Sequence, residues 1–439
     1  MREEDGRAAG TGPGSVFVAT CDLAAQMRGR AVPASVQARA LETGLGWVPA
    51  NLALTGFGVI ADDNVFGAGG DLRLLPDPAS AIDLPSHGEV AATRIMLATL
   101  VELDGRPWPC CPRTFLQDAL ADLRDQHGLL VRASFEHEFT LSDAGGHPPF
   151  SWQAARAVEP FGSDLLELTA VAGLEPENWL PEYGPGQFEI TLHATDGLAA
   201  ADRAIVVREL VRDLARRHGR VASFAPLPDP AGVGNGVHVH LSLREESGRP
   251  VLRDPSRPGR LSVIGARFCA GILAHASALT AITAPSPVSA LRLSPHRWSA
   301  AAAFLGERHR EALLRIAPTV GFNGSDEAAA FNLEYRAADA TANPWLVLGA
   351  LVRAGMSGLA GTGEAHVHPQ DISDATIAAL PCLPDDLEAA LQSLQRDPVA
   401  SGWFAPDLLA TFAAVKRAEL ALLEGLDTAA RCRRVADVY

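Results

Sequence analysis

Lysine is nearly missing from this 439-residue chain: the 37 basic residues include one, Lys416, in a helix-like stretch near the C-terminus. A Walker A loop needs a lysine beside its glycines, a protein kinase needs one on a strand, and Schiff-base chemistry needs one as nucleophile. None of these has a candidate, so any handling of ATP falls to arginines and metal ions. Cysteine is sparse too. The six, at 21, 110, 111, 269, 382 and 432, lack metal-ligand spacing, and Cys110-Cys111 is a vicinal pair, not a CxxC. They read as scattered reduced thiols of a cytosolic protein. Positive charge is in deficit, and a net charge of −15 argues against nucleic-acid partners, which need basic surface to neutralise phosphates. No long apolar run is free of polar interruption. The longest, Leu261 to Ile282, contains Arg267 and His275, so it is expected to be a buried helix and no membrane span. The N-terminus is acidic and glycine-rich, without the basic-then-apolar order of a signal peptide, which makes cytoplasm the expected location.

What is present suggests a mixed fold. Residues 1–14 read as a flexible leader. From Val16 to about Asp104, short apolar runs between Gly, Pro and Asp suit strands and turns. Pro107, Pro109 and Pro112 then punctuate the chain. The segments 113–127, 199–218, 385–395 and 407–423 read as helices, and 131–141, 237–243 and 331–336 alternate as strands. Without a regular βαβ rhythm, the class is α+β.

Four short segments carry chemistry-bearing residues at alternate positions, which in a strand face one side roughly ~7 Å apart. Phe135-Glu136-His137-Glu138-Phe139 projects two carboxylates, Val237-His238-Val239-His240-Leu241 two histidines, and Asn332-Leu333-Glu334-Tyr335-Arg336 an acid beside an arginine. Glu182 and Glu189 flank a glycine turn. Alone, each motif is an ordinary polar strand face or a surface ion pair. All of them together, flanked by large apolar residues, need a cation to offset the desolvation of so many acids. Carboxylates with one or two imidazoles form a hard donor set suited to Mg2+ or Mn2+, and the number of acids allows two or more ions per site. Arg292 and Arg315, each set between aliphatic residues, and the pair Arg308 and Arg310 offer planar donors for carboxylate and phosphate.

In this order the segments resemble the glutamine synthetase family. Glu136-His137-Glu138-Phe139 is similar to its ExEF strand, Glu182 through Glu189 to its glycine-glutamine-acid signature, and Gly236-Val237-His238-Val239-His240-Leu241-Ser242 to its GxHxHxS strand. Arg292, Gly306 through Arg315, and Leu333-Glu334-Tyr335-Arg336 follow in the family's order. The resemblance implies a small N-terminal β-grasp domain over 15–105 and a large catalytic domain over 106–439, with a curved antiparallel sheet and flanking helices. It implies one metal on Glu138, Glu182 and Glu189 and a second on Glu136, His238 and Glu334, with ATP as co-substrate. His240 and Ser242 fall where nucleotide contacts lie, Arg292 and Arg336 where the amino acid is held, and Arg310 and Arg315 at the transferring phosphate. Asn235 and Gly236 join the substrate positions. Family members form rings of subunits, so a homo-oligomer, a dodecamer of two stacked hexamers, is expected. The implied activity is an ATP-dependent carboxylate–amine ligase working through an acyl phosphate.

Departures from the pattern concentrate on the acceptor and ATP sides. Trp298 stands where the family carries a glutamate over its ammonium site, Val233 where an asparagine contacts glutamate, His309 before the phosphate arginine, and Phe331-Asn332 where basic residues lead into the last metal strand. The family's N-terminal aspartate has only Asp62 and Asp63 as weak counterparts. An indole packs on an alkyl or aryl amine or stacks on a cation, but it cannot accept ammonium's proton. The expected reaction is therefore γ-glutamylation of an organic amine, with Trp298 at the acceptor. Glutamine synthesis from ammonia, a different acid substrate, and a silent regulatory relative remain the alternatives.

Overall fold

The computed structural model describes residues 13–86 and 90–439. The proposed leader, but for Pro13 and Gly14, lies outside the described residues. Alternating short apolar segments build a six-stranded N-terminal sheet from β1 (Ser15–Cys21), β2 (Met27–Pro33), β3 (Leu45–Trp47), β4 (Leu72–Pro76), β5 (Ile82–Leu84) and β6 (Thr93–Val101). Its order is β2-β1-β6-β4-β3, with β5 also on β6; β1 and β6 are parallel and the other pairs antiparallel.

The larger sheet is ten-stranded. Its strands are β7 (Leu129–Leu141), β8 (Pro176–Pro181), β9 (Gln187–Leu192), β10 (Thr195–Asp196), β11 (Ala222–Ser223), β12 (Val237–Glu245), β13 (Ala302–Glu307), β14 (Ala312–Ile316), β15 (Leu333–Tyr335) and β16 (Val367–His368). The path runs β16-β13-β14-β15-β12-β7-β9-β8, with β10 and β11 pairing to β7. The centre is antiparallel as expected; at one edge β13 pairs parallel to both β14 and β16. Strand β7 shows why the sheet has two unlike faces. Leu129, Val131, Ala133, Phe135, His137, Phe139 and Leu141 are buried, while Arg132, Ser134, Glu136, Glu138 and Thr140 alternate on the other, less buried face. The apolar face packs on the helices Pro112–His127 and Gly197–Arg217, against which the helix Pro344–Ala360 also packs.

The stretch 261–282 is not the single helix its composition suggests. It forms two helices, Val263–Ala274 and Ala276–Thr283, bent by 76°. The break is at His275, whose backbone leaves helical geometry and whose Nδ1 lies 2.6 Å from Asp397 Oδ2. Among the described residues no single helix is long and apolar enough to cross a membrane, although this bent pair passes by length and composition together; most of its residues are buried or half-buried.

Polar clamps tie the two sheets together. Asn343 caps the helix Pro344–Ala360 by accepting from the Trp345 and Leu346 amides, and its Nδ2 donates to the Cys21 and Asp22 carbonyls at 3.0 Å each. The buried Arg113 guanidinium donates to Asp77 on one side and Asp202 on the other, both at 2.8 Å. The single lysine is structural. Lys416 is fully buried 3.0 Å from Glu419, whose other oxygen accepts the Gly56 amide at 2.9 Å.

Candidate active site

Register brings the scattered motifs together. Glu138 on β7 sits opposite Glu189 on β9, Glu136 opposite His238 on β12, and Glu334 on β15 opposite both His240 and Arg315 on β14. The turn after β8 delivers Glu182. There Gly186 adopts φ 67°, and a Cβ on it would lie 2.8 Å from the Leu141 carbonyl oxygen, so a side chain is excluded by both conformation and space. Gln187 closes this turn by accepting the Gly184 amide at 2.9 Å.

Among the described residues two groups could hold a metal ion, each with its donor atoms within 4.8 Å of one another: Glu136, His238 and Glu334, and Glu138, Glu189 and His238. His238 belongs to both. Glu182 lies outside both groups but lines the same cavity, which has a volume of about 430 Å³. Electrostatics matches this crowding. Burial, then the Glu138 charge, pushes Glu182 up to about 7. Burial and the surrounding carboxylates of Glu136, Glu138, Glu182 and Glu334 hold Glu189 well above its ordinary range. Burial opposes the charge on Glu136 and Glu334 as well, but positive neighbours win: the His240 and His238 imidazoles hold Glu136 low, and Arg336, His240, His238 and Arg315 bring Glu334 down to about 2. Acids that repel one another inside an oxygen-rich cluster fit a hard divalent cation.

This arrangement makes a pH prediction for the protein in chelator. The folded-state pKa of Glu182 lies above 4.5, so its stabilising contribution is complete below 4.5 and is lost as pH rises through about 7. Glu189 moves in the same direction, and His240, pushed up to about 9 against its burial by Glu136, loses its contribution as pH rises beyond 6.5. Glu136 and Glu334 act oppositely, their contributions being lost only in acid. The buried His137, driven down to about 3, works the other way below 6.5, so thermal denaturation in chelator should show Tm falling between about pH 6.5 and pH 8, and Mg2+ should restore Tm by an amount that grows with pH. A chelated Tm that rises over this interval would contradict the cluster's electrostatics.

The arginines divide into held and free. Arg292 is buried and donates to the Ala337 and Ala338 carbonyls at 2.6 and 2.8 Å. Gly234 makes room for it, since a Cβ there would lie 2.7 Å from Arg292 Cγ. Arg315 donates to Glu334 at 2.5 Å, and Arg336 donates to the other oxygen of Glu334, to the Arg310 carbonyl at 2.8 Å and to the Trp298 carbonyl at 2.9 Å. Arg310 is exposed, lines the cavity and has no ion-pair partner among the described residues; its guanidinium carbon lies 6.0 Å from the Trp298 ring centroid. Trp298 itself is half exposed and holds φ at 53°, a left-handed conformation costing ~1–3 kcal/mol in a non-glycine residue. Its neighbour Arg297 ties the segment down by donating to the Gly232 and Pro230 carbonyls.

Other expected site residues sit elsewhere. The Asn235 amide is turned into the fold: its Oδ1 accepts from Gln187 at 3.1 Å and its Nδ2 donates to the Ala225 carbonyl at 3.0 Å. Gly236 contributes its amide, which donates to Glu138 Oε2 at 2.6 Å. His240 and Ser242 share the face of β12 that carries His238 but lie beyond the cavity wall. His240 is held between Glu136 Oε1 at 3.0 Å and Asn332 Oδ1 at 2.8 Å. Asp62 and Asp63 are exposed in the N-terminal domain. Sequence reasoning gave no role to Tyr183 or Phe150, which line the cavity. Tyr183 was visible inside the Glu182 motif; Phe150, in a Gly- and Pro-rich loop, had no signal.

A carboxylate, imidazole and guanidinium cluster on the polar face of the larger sheet, with a small sheet domain ahead of it, suits divalent cations and anionic groups, and the similarities that follow make the chain a C–N bond-forming ligase. The chain belongs to the glutamine synthetase family: the glutamine synthetase N-terminal domain matches residues 15–108 and the glutamine synthetase catalytic domain residues 109–434. It is 35% identical to a gamma-glutamylpolyamine synthetase, GlnA3, of Streptomyces coelicolor, over 96% of this chain and 93% of that one. It is 30% identical to a glutamate–isopropylamine ligase of a Pseudomonas species, over 69% of this chain and 66% of that one. A crystal structure of a novel glutamine synthase homolog superposes with a TM-score of 0.91 at 43% identity, covering 100% of both chains. Enzymes of this family use ATP and divalent metals.

Proposed function

We propose that this enzyme joins the γ-carboxylate of glutamate to an organic amine at the cost of ATP. The observation that carries the reading is the indole of Trp298, which lines the same cavity as the acids that could hold divalent metal and packs there against Tyr183 and Arg310. The similarity to ligases named for polyamines and isopropylamine supports it.

A carboxylate oxygen is a poor leaving group, so the amide bond needs activation. A glutamate oxygen attacks the γ-phosphorus of ATP, giving ADP and γ-glutamyl phosphate. The amine nitrogen then attacks the acyl carbon, loses a proton, and expels inorganic phosphate with the former carboxylate oxygen. Phosphoryl transfer mainly demands positioning and charge neutralisation. Glu136, His238 and Glu334, with Glu138, Glu189 and Glu182, would hold Mg2+ or Mn2+, which when bound neutralises phosphate charge. In the same reading Arg292 and Arg336 orient glutamate, His240 and Ser242 attend the nucleotide, and Arg310 and Arg315 face the transferred group. Domains over 15–105 and 106–439, a ring of subunits and a cytoplasmic location complete it. The test supplies ATP, Mg2+ and glutamate with ammonium or with a panel of primary amines, and follows phosphate release and product mass. Amine-dependent γ-glutamylamides are expected; turnover with ammonium and none with any amine would overturn the reading.

A further inference from the structure

Three large aromatic side chains, each about half exposed, line the mouth of the metal-ligand cavity in an unbroken series. Phe150 meets Tyr183 edge to face with ring centroids 4.8 Å apart, and Tyr183 meets Trp298 edge to face at 4.7 Å. They come from three separate segments: the loop before the helix Trp152–Arg156, the turn that carries Glu182, and the segment fixed by Arg297 and Arg336. Side chains of this size left half in water are costly unless something covers them. Tyr183, the middle ring of the series, directly follows Glu182 in the chain, so an acceptor whose nitrogen reaches the candidate metal ligands runs beside these rings.

We propose that Phe150, Tyr183 and Trp298 form the wall along which the carbon chain of the acceptor lies, so that the preferred substrate is a primary amine bearing an unbranched chain of several methylenes. This rests on the amine-ligase reading above and adds the part of the acceptor that is recognised. Charge narrows the class further. Arg310 already lies over the Trp298 ring and Arg297 lines the same cavity, so a second ammonium held among the rings would meet two guanidiniums. The wall therefore takes methylenes, and any further positive charge on the acceptor belongs clear of the three rings.

The full-length enzyme is assayed with ATP, Mg2+, glutamate and a series from methylamine to hexylamine, beside Tyr183→Ala, Phe150→Ala and the conservative Tyr183→Phe. The wild type should gain kcat/KM with chain length and prefer propylamine to 1,2-diaminoethane. Tyr183→Ala and Phe150→Ala should lose at least about tenfold of kcat/KM for hexylamine, mainly through KM, and the loss should shrink steadily as the chain shortens toward methylamine. Tyr183→Phe, which keeps the ring, should behave as wild type. Equal turnover of all chain lengths by the wild type, or an equal loss for every amine in the alanine variants, would overturn this inference while leaving the amine-ligase reading intact. Turnover of ammonium alone would remove that reading first. Loss of the native oligomeric state in Tyr183→Ala, read by light scattering, would assign the aromatic wall to a contact between subunits and overturn the proposal.

Discussion

Replacing Glu136 with alanine is expected to remove at least about 10²-fold of ATP-dependent product formation, the largest single loss among the acids. Glu136 connects the two halves of the cluster. Its Oε2 lies 3.3 Å from His238 Nδ1 and its Oε1 3.0 Å from His240 Nε2, while His238 is shared by both ligand groups. Removing this carboxylate takes an oxygen donor from one group, leaves His240 on Asn332 alone and deprives His238, shared by both groups, of its nearest partner. Glu136→Gln, which keeps the shape and loses the charge, should fall almost as far. Calorimetric titration with Mn2+ should show weaker binding in both variants. Full activity in Glu136→Ala would mean that the metal assignment is wrong.

Arg310→Ala is expected to lower kcat by about 10³-fold, with KM for glutamate changed only a few-fold, because arginine at a transferring phosphoryl group is worth about 10³–10⁵ in rate. The contrast among the cavity's guanidiniums singles it out. Arg315 and Arg336 are bound to Glu334, and Arg292 to two backbone carbonyls. Arg310 rests only against the face of Trp298, beside Glu182, on the short connection between β13 and β14. Arg297 donates to the Gly232 and Pro230 carbonyls, so among the described cavity guanidiniums Arg310 can move to a phosphate without breaking a hydrogen bond or an ion pair. Arg310→Lys should recover part of the rate, since it restores charge without the planar fork. Rapid-quench measurement of the first turnover places the loss at phosphoryl transfer; a loss below tenfold there would show that Arg315 serves this role alone.

Much of this candidate site could be read in the sequence because most of its candidate ligands sit on strands. The two-residue period of Glu136 and Glu138, His238 and His240, and Glu334 and Arg336 places each pair on one face whatever the rest of the fold does. His137, between the two acids, accordingly points to the other face, buried against Phe224, with burial driving its imidazole down to about 3. Which strand lies beside which was not legible. The meeting of Glu138 with Glu189, and of Glu334 with Arg315, is set by sheet order and register. Asn235 shows a second limit: an amide among glycines suggests a ligand contact, and only tertiary structure reveals that Gln187 and the Ala225 carbonyl engage it. His275, at the bend, pairs with Asp397 more than a hundred residues away, and Trp298 packs on Tyr183, over a hundred residues before it in the chain.

The most direct test of the central claim uses glutamate labelled with 18O in both γ-carboxylate oxygens, incubated with enzyme, ATP, Mg2+, and equimolar ammonium and hexylamine. Activation through an acyl phosphate followed by capture by the amine predicts inorganic phosphate carrying one 18O. It also predicts γ-glutamylhexylamide retaining the other, with little glutamine. Unlabelled phosphate beside a labelled amide, or labelled glutamine as the main product, would contradict the account.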